Sequence, residues 1–596
     1  MKNIFTLVLC VVLGGIYHGS AQTIPLSRLT NWSRAGLLDS VPSYSNVVNI
    51  MNHGGINDGS ATNHIVFTTA LATLNGDPGV IYFPPGTYLF TNPMRLPDST
   101  VIRGAGDSTK LIFDIGGAAL NCINIDGVTG TTTWPVTQPA GKSDTVLTLG
   151  NTSGLAVGDW VMIYGDDTSL ITSNWAYGTV GQIVQIESMS GSTIGIHQGL
   201  RRNYPADFDA RIKRLVPKQG AGVECMSIER VDSTAAQTYN INFWDAANCW
   251  AIGVSSNKTN FAHIGITESA HILVRGNYLH HSRGYGGGGR GYGVALQYTS
   301  GDCLVENNIF EHLRHSMLLQ VGANGNVLAY NYSRDPYWDE PPLPTNSAGD
   351  AVLHGNYPYL NLFEGNIVQH IVVDNSHGIN GPNNTFFRNR SQLYGIFMNT
   401  GAGATDSVTY VGNEVTGTGP FQGNYSLAGT GHFEYGNNVK GTITPTGTTS
   451  LPEKSLYLSS TPEFWSSNLP WPHIGMPHPY NQGLNSAQSL YAGTAKTDCR
   501  RNPSFVPDNI SEIERNISFK IYPNPATDKV LFEMTGSNER YHIVVTDIVG
   551  KTVVKLQVNV NSRVVEWNAT QAPRGIYLYK IQQVNGAVST GRIVLQ

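Results

Sequence analysis

Charge is what this chain has least of. Only 13% of its 596 residues are Asp, Glu, Lys or Arg, and 37 basic against 42 acidic side chains leave a net charge of -5. A surface this weakly charged carries no basic stripe for a phosphate backbone, which removes nucleic acid from the candidate partners. Cysteine is scarce too: the six stand at 10, 122, 225, 249, 303 and 499, with no Cys-x-x-Cys pair and no Cys/His metal spacing. Most are therefore expected to be small core hydrophobes. Beyond the N-terminus no apolar run approaches the ~20 residues that span a bilayer, so no transmembrane segment is expected.

Glycine is abundant, at 66 residues, together with Asn, Thr and Ser, the mixture of short strands and frequent turns. A chain this long implies several domains or one elongated repeat. Its start, MKNIFTLVLCVVLGGIYHGSAQT, has Lys2, an apolar stretch and small residues at Ser20 and Ala21, the pattern of a secretory signal cleaved near Ala21 or Gln22. Bulky Leu9 before Cys10 argues against a lipoprotein.

An asparagine after a short apolar strand recurs in HILVRGNYLHHS, CLVENNIFEHL, NVLAYNYSRD, NLFEGNIVQH, TFFRNRSQL and TYVGNEVTG. The aligned residues are Asn277, Asn308, Asn331, Asn366, Asn389 and Asn413, spaced by 31, 23, 35, 23 and 24. A period near 23 with three short strands predicts a right-handed parallel β-helix, each coil ~4.8 Å from the last. Val274, Val305, Leu328, Phe363, Phe386 and Tyr410, three positions earlier, should stack inside it. The asparagines are expected at a tight turn in left-handed conformation, each amide bonded to the next.

Two stretches carry resemblances. NVVNIMNHGGINDGSATNHIVFTTAL (46–71), GVIYFPPGTYLF (79–90) and STVIRGAGDSTKL (99–111) resemble the opening of the pectate-lyase-like superfamily: strand, Asn57-Asp58-Gly59 turn, capping helix, PPGTY coil and GxG turn. The chain departs at Ser60 to Asn63, where the family usually has further Asp residues. That resemblance implies the β-helix and a carbohydrate-active protein, but not which reaction. From Ile521, the YPNPATD start, the D-x-x-G-K turn at Asp547 to Lys551, P-x-G-x-Y at Pro573 to Tyr577 and Arg592 before a short apolar end resemble the type A C-terminal sorting domain of the Bacteroidetes type IX secretion system. It implies a seven-stranded β-sandwich and passage through the outer membrane to a secreted or cell-surface location.

The expected fold is thus all-β: a right-handed parallel β-helix with an N-terminal capping helix, followed by a small C-terminal β-sandwich. The divisions are a signal peptide (1–22), cap and first coils (23–130), a β-rich insertion or irregular coils (131–215), coils with a groove (216–450), a C-terminal cover over the last coil with a linker (451–515) and the sorting domain (516–596). Within the insertion, Trp134, Trp160 and Trp175 can line a sugar subsite or pack in a core.

The two long spacings place the chemistry. SRGYGGGGRGYG and PYWDEPPLPTNSAGD both enter about five residues after the asparagine, so stacked coils put both loops on one edge. The glycine run lacks a Walker lysine and a following helix, which excludes a phosphate cradle. Four positions after the asparagines stand His281, His312, Asp335 and His370; three after stand His280, Glu311, Arg334 and Gln369. These form two polar files, with Arg314, His315, Asp339, Glu340, Asp350, His354, Asp374 and His377 nearby.

Two reactions fit. β-Elimination from a uronic acid needs a cation on the carboxylate, supplied by Arg314, Arg334 or a Ca²⁺ on Asp335, Asp339, Glu340 or Asp350. It also needs a base, His312 or His315, with His281 beside them. Tyr285, Tyr292, Tyr337, Trp338 and His370 would bind sugar rings. Glycoside hydrolysis needs two flanking carboxylates instead. A non-catalytic surface adhesin or glycan binder is the third class. The density of His and Arg favours a polysaccharide lyase, acting as a monomer on an extracellular polysaccharide.

Overall fold

A computed structural model describes residues 23–340, 348–401, 403–499, 518–535, 541–547, 551–558, 564–583 and 588–596. The expected signal peptide, the tip of the second loop (341–347) and the linker at 500–515 lie outside the described residues. Two compact units divide at 505/506.

The first unit is a parallel β-helix whose coils stack three files of strands. File one runs through Trp250–Ile252, Leu273–Arg275, Leu304–Glu306, Val327–Ala329, Leu362–Glu364, Thr385–Phe387 and Thr409–Val411. File two holds Ser255–Thr259, Tyr278–Ser282, Ile309–Glu311 and Tyr332–Arg334. File three holds Ile123–Asp126, Tyr239–Trp244, Ala262–Thr267, Tyr292–Gln297, His315–Leu319 and Ala351–His354. In the next coil files two and three fuse into the single strand Ile367–Asp374.

The asparagine ladder accounts for the stacking. Asn277, Asn308, Asn331, Asn366, Asn389 and Asn413 each donate Nδ2 to the Oδ1 of the asparagine one coil on, at 2.9–3.1 Å, ending on Asn437. Each also donates to a carbonyl of the preceding coil, Ala251 through Phe386. All are buried, so polar groups that would be costly alone satisfy one another. One expectation is corrected: the left-handed residue is the one before each asparagine, as at Gly276, Asn307, Tyr330, Gly365, Arg388 and Gly412. That residue turns the chain, which leaves the asparagine amide pointing inward. A second ladder, Asn326, Asn361 and Asn384, occupies another corner.

Inside, Val274, Val305, Leu328, Phe363, Phe386 and Tyr410 stack, the last three rings near-parallel at centroid distances of 4.8 and 5.3 Å. Replacing Phe386 with leucine removes the middle ring of the stack and should cost about 2 kcal/mol. The shift of the guanidinium midpoint measures it, and a midpoint unchanged from wild type would contradict the stacking account. The five described cysteines are free, and all but Cys499 are buried.

The helix His64–Ala72 closes the N-terminal end, with Phe67 against Phe83 and Phe90. The last coil ends in a hairpin, Thr442–Thr444 antiparallel to Asn437–Val439. The segment expected to cover that coil instead runs back along the side of the helix. Leu451, Tyr457, Phe464 and Trp465, joined by Ile24 and Trp32, cover the apolar outer face of file one. Ile474, Ala487 and the helix Ser486–Ala492 cover file two over Ile309, Tyr332 and Ile367. The cause is apolar surface: those two faces carry side chains that must leave water.

Strands Val128–Pro135 to Arg211–Val216 form a separate antiparallel sheet with its own core, including Trp134. Trp160 lies in a cluster that also holds Ala247 and Ala270 of the β-helix. The segment 451–499 covers files one and two, and file three carries an apolar cluster of its own, Phe261, Ala262, Tyr292, Ala295 and Leu318.

The second unit is a sandwich of a three-stranded and a four-stranded antiparallel sheet around Val530, Phe532, Ile543, Val545, Trp567, Ile581 and Ile593. Asn524 ties the YPNP turn to the final strand: its Nδ2 donates to Arg592 O and its Oδ1 accepts from Val594 N, both at 2.9 Å.

Candidate functional site

On file three, inward residues such as Val294, Leu296, Met317, Leu319, Ala351 and Leu353 enter the core. Their neighbours face outward. In register along the helix axis these are Asp126, Trp244, Thr267, Gln297, Gln320, His354 and Asp374. Above them lies a groove of about 790 Å³, lined by Trp244, Thr267, Glu268, Tyr292, Gln297, Gln320, Arg314, His354 and His377. Trp175 lines it from the insertion and Gly288 and Gly289 from the first loop.

The structure splits the expected cluster. His281, His312 and Asp335 sit at the corner between files two and three and are not among the groove-lining residues. There the rings of His281 and His312 stack at 4.9 Å, and His312 Nδ1 lies 2.7 Å from Asp335 Oδ2. Tyr337 stacks on His312 at 4.4 Å and Tyr285 meets it edge-on at 5.1 Å. All three corner residues have left-handed backbones, as do Asp245, Glu268 and Tyr298 at another corner, so their vertical alignment is a property of the coil. Arg334 and Glu311 are held by the cover: Tyr491 Oη donates to Glu311 Oε1 at 2.7 Å, and Arg334 Nη1 donates to Tyr491 Oη at 2.8 Å.

His370, expected to bind substrate, is fully enclosed, because its coil has no loop at that corner and the strand simply continues. Burial lowers its pKa to about 3. The Ca²⁺ donor set does not assemble. Asp350 is buried and spends its carboxylate on Ser333 Oγ (2.7 Å), Ser316 Oγ (3.3 Å) and the amides of Gln369 and His370 (2.6 and 3.0 Å). Burial raises it to about 6. Asp335, Asp339 and Glu340 are exposed. Among the described residues no group of three or more His, Cys, Asp or Glu is placed to hold a metal ion.

Arg314, His315 and Tyr292 do reach the groove or its floor. Arg314 lies over the Trp338 ring at 4.4 Å and donates Nη1 to Gly286 O at 2.6 Å, which ties the first loop to the coil. His315 packs between Tyr292 (4.8 Å) and His354 (5.4 Å), with Nδ1 on Gly349 O at 3.1 Å. Burial first, then the charges of Arg314 and His354, keep it neutral.

At the open end of this floor His354 pairs through Nδ1 with Asp374 Oδ2. Burial would raise the Asp374 carboxyl, but His354, the Ser376 amide and Asn399 outweigh it and hold the acid well below the usual carboxylate range. Ser376 donates to it from N and Oγ (2.9 and 2.8 Å) and Asn399 from Nδ2 (2.6 Å). His377 meets His354 edge-on at 4.9 Å, and burial and His354 lower its pKa. A groove-lining imidazole with Nδ1 against a carboxylate is an arrangement suited to moving a proton at its other nitrogen.

The sequence named His354, Asp374 and His377 only as neighbours, and it missed Gln297, Gln320 and Trp244. The signal was the strand pattern itself: in VALQ, MLLQ, AVLH and IVVD the last residue follows two inward positions. Trp175 is the insertion tryptophan that stands exposed, at 49%.

Enclosed imidazoles also make stability pH-dependent. His263 and His370 are each lowered by burial to about 3. An unfolded imidazole titrates near ~6.5, so below that pH only the unfolded chain takes up the proton. Stability therefore falls with pH from about 6.5 toward 3, by up to ~1.4 kcal/mol per unit for each group. Tm should drop between pH 7 and pH 5, and less steeply in His370→Gln; an identical slope in the variant would exclude this origin.

Residues 47–199 match the family described as rhamnogalacturonase A/epimerase, pectate lyase-like, and residues 520–596 match the secretion system C-terminal sorting domain. No curated protein matches the sequence. Among solved structures, the tailspike protein gp49 of Pseudomonas phage LKA1 is 15% identical with a TM-score of 0.49, covering 62% of this chain and 64% of its own. This chain thus spans less than two thirds of that tailspike. A hyperthermoactive exopolygalacturonase from Thermotoga maritima is 10% identical (TM-score 0.35; 66% and 93% covered). PfbA, a surface adhesin of Streptococcus pneumoniae, is 11% identical (0.32; 66% and 92%). At these identities the likeness is one of fold. No helix among the described residues is long and apolar enough to cross a membrane.

Proposed function

We propose that this chain, with its pectate lyase-like segment at 47–199 and its sorting domain at 520–596, is an exported polysaccharide lyase that cleaves a uronic-acid-containing glycan by β-elimination. The observation that carries the reading is the make-up of one end of the groove: Arg314, His354 and His377 face it together, with Asp374 behind His354. Arg314 is the cation for the substrate carboxylate, which acidifies the carbon beside it. His354 Nε2 takes the proton from that carbon, and the electron pair left behind forms the new double bond. The glycosidic C–O bond breaks, and the leaving oxygen takes a proton from His377 or solvent. Asp374 stabilises the imidazolium that forms on His354. His312, His315 and Asp335, singled out by spacing, take no proton in this scheme.

Hydrolysis is the second reading, and one observation favours it. Asp245 Oδ1 and Glu268 Oε2 lie 2.7 and 3.5 Å from the same Thr129 Oγ1, and burial raises Asp245 to about 6. A carboxylic acid beside a carboxylate is what an acid/base pair requires. Glu268 and Asp374 cannot pair instead, since four strand spacings of ~4.8 Å separate their coils. A non-catalytic surface binder needs neither set.

Incubation with a panel of acidic and neutral polysaccharides, following both ultraviolet absorbance of a new double bond and reducing ends, decides among the three. Absorbance on an acidic glycan supports the lyase. Reducing ends without absorbance, abolished by Asp245→Asn, support the hydrolase, and neither signal leaves a binder. In the lyase, Arg314→Gln should raise KM by about tenfold or more, the loss of one charge-assisted contact to the carboxylate. An unchanged KM would remove Arg314 from substrate binding. Export through the type IX system and action as a monomer complete the proposal.

A further inference from the structure

Four strand spacings from His354, on the same outer face, a second depression of about 320 Å³ is lined by Arg95, Leu120, Asn121, Asn124, Asp126, Asn242, Trp244 and Asp245. Trp244 lines both depressions. Trp244 is 48% exposed, although a tryptophan in a β-helix strand would ordinarily be covered. Beside it Asn242 is 2% exposed, donates Nδ2 to Asp126 Oδ1 at 3.0 Å, and has an Oδ1 that is buried with no partner. A buried amide oxygen left unbonded is unfavourable unless a ligand supplies a donor. A flat apolar face next to an unpaired acceptor is what a sugar ring with its hydroxyl groups satisfies.

Charge narrows the class. The cations at this end are already paired: Arg95 with Asp126 at 2.7 Å, and Lys213 with Glu268 at 3.2 Å. Each of these two positive groups is offset by an acidic partner, and Arg314 stands at the other end.

We propose that Trp244 and Asn242 form a distal subsite for a neutral sugar unit, the ring stacked on the indole and a hydroxyl donating to Asn242 Oδ1. Resting on the lyase reading, this makes the substrate a mixed polymer, with a uronate at His354 and a neutral residue about 19 Å away along the groove. A glycan unit is about as long as one coil is high, so the enzyme gains from chains of roughly five units.

Two measurements on the full chain test it. In the first, intrinsic fluorescence is titrated with neutral tetrasaccharides of gluco, galacto and manno configuration. At least one should give a saturable change, weakened tenfold or more in both Trp244→Ala and Asn242→Ala. Absence of a saturable change with every probe, or equal affinity in the variants, overturns the subsite. In the second, kcat/KM is followed against length for a cleaved mixed glycan. Wild type should gain about tenfold on reaching five units, and Trp244→Ala should lose that gain; a gain kept in the variant also overturns it. Binding without double-bond formation on any glycan would sink the lyase reading and leave the subsite standing. Elimination without the binding signal would do the reverse.

Discussion

His354→Ala should lower kcat/KM on the acidic glycan by about 10³-fold while the protein keeps its fold, because a positioned general base contributes ~10²–10⁴. The imidazole is the groove's one base whose other nitrogen is fixed by a carboxylate among the described residues, through Asp374. Asp374→Asn should lose activity too, since the amide can neither stabilise the imidazolium nor enforce the tautomer. Asp374 stays ionised far into acid. An acid-side loss of activity therefore reports a group other than this carboxylate; His377 is one, its pKa lowered by burial and by His354. Two readouts separate chemistry from structure: a cooperative thermal transition retained in His354→Ala, with Tm lowered by the loss of the Asp374 partner, and partial rescue of the alanine protein by added imidazole. Activity retained within twofold in His354→Ala would sink the assignment.

The second large effect is on stability. Asn331→Ala deletes a rung at the middle of the ladder. It leaves Val305 O without its donor and Asn308 N without its acceptor, both enclosed. At ~1–3 kcal/mol for each buried group left unpaired, the loss should be about 4 kcal/mol. Guanidinium unfolding of the variant should show a midpoint lowered in proportion with the slope kept. A loss under about 1 kcal/mol would mean that water replaces the rung. Asn331→Asp tests the same rung from the other side: it keeps the acceptor for Asn308 but sets a buried carboxylate against Val305 O and Asn366 Oδ1, so it should cost at least as much as alanine.

The scaffold was readable because one chemical requirement repeats. Every coil needs the same amide at the same corner, so Asn277 to Asn413 mark the period, and the aromatic stack follows at a fixed offset. The site was less readable because file three has no marker of its own. Loops of unequal length separate it from the asparagines, so counting forward from Asn308 reached the corner at His312, while the groove floor begins at His315. In the coil of Asn366 the same count ran into a continuous strand and picked enclosed His370. His354 and Asp374 become visible only by counting back from the inward pairs, as in Ala351 and Leu353. The side cover was not legible at all, because nothing in LPWPHIGMPHPYN states which face it crosses.

That cover fixes an order of events. Thr23 Oγ1 donates to Glu453 Oε2 at 2.8 Å, and Ile24 and Trp32 share an apolar cluster with Tyr457, Phe464 and Trp465. Segments more than 400 positions apart thus seal one face together, the kind of non-local closure that slows folding. Coils can stack as they emerge, but the strip along files one and two stays bare until residues 451–499 arrive. Until then the chain is prone to self-association, and a product truncated near 450 should accumulate as aggregate.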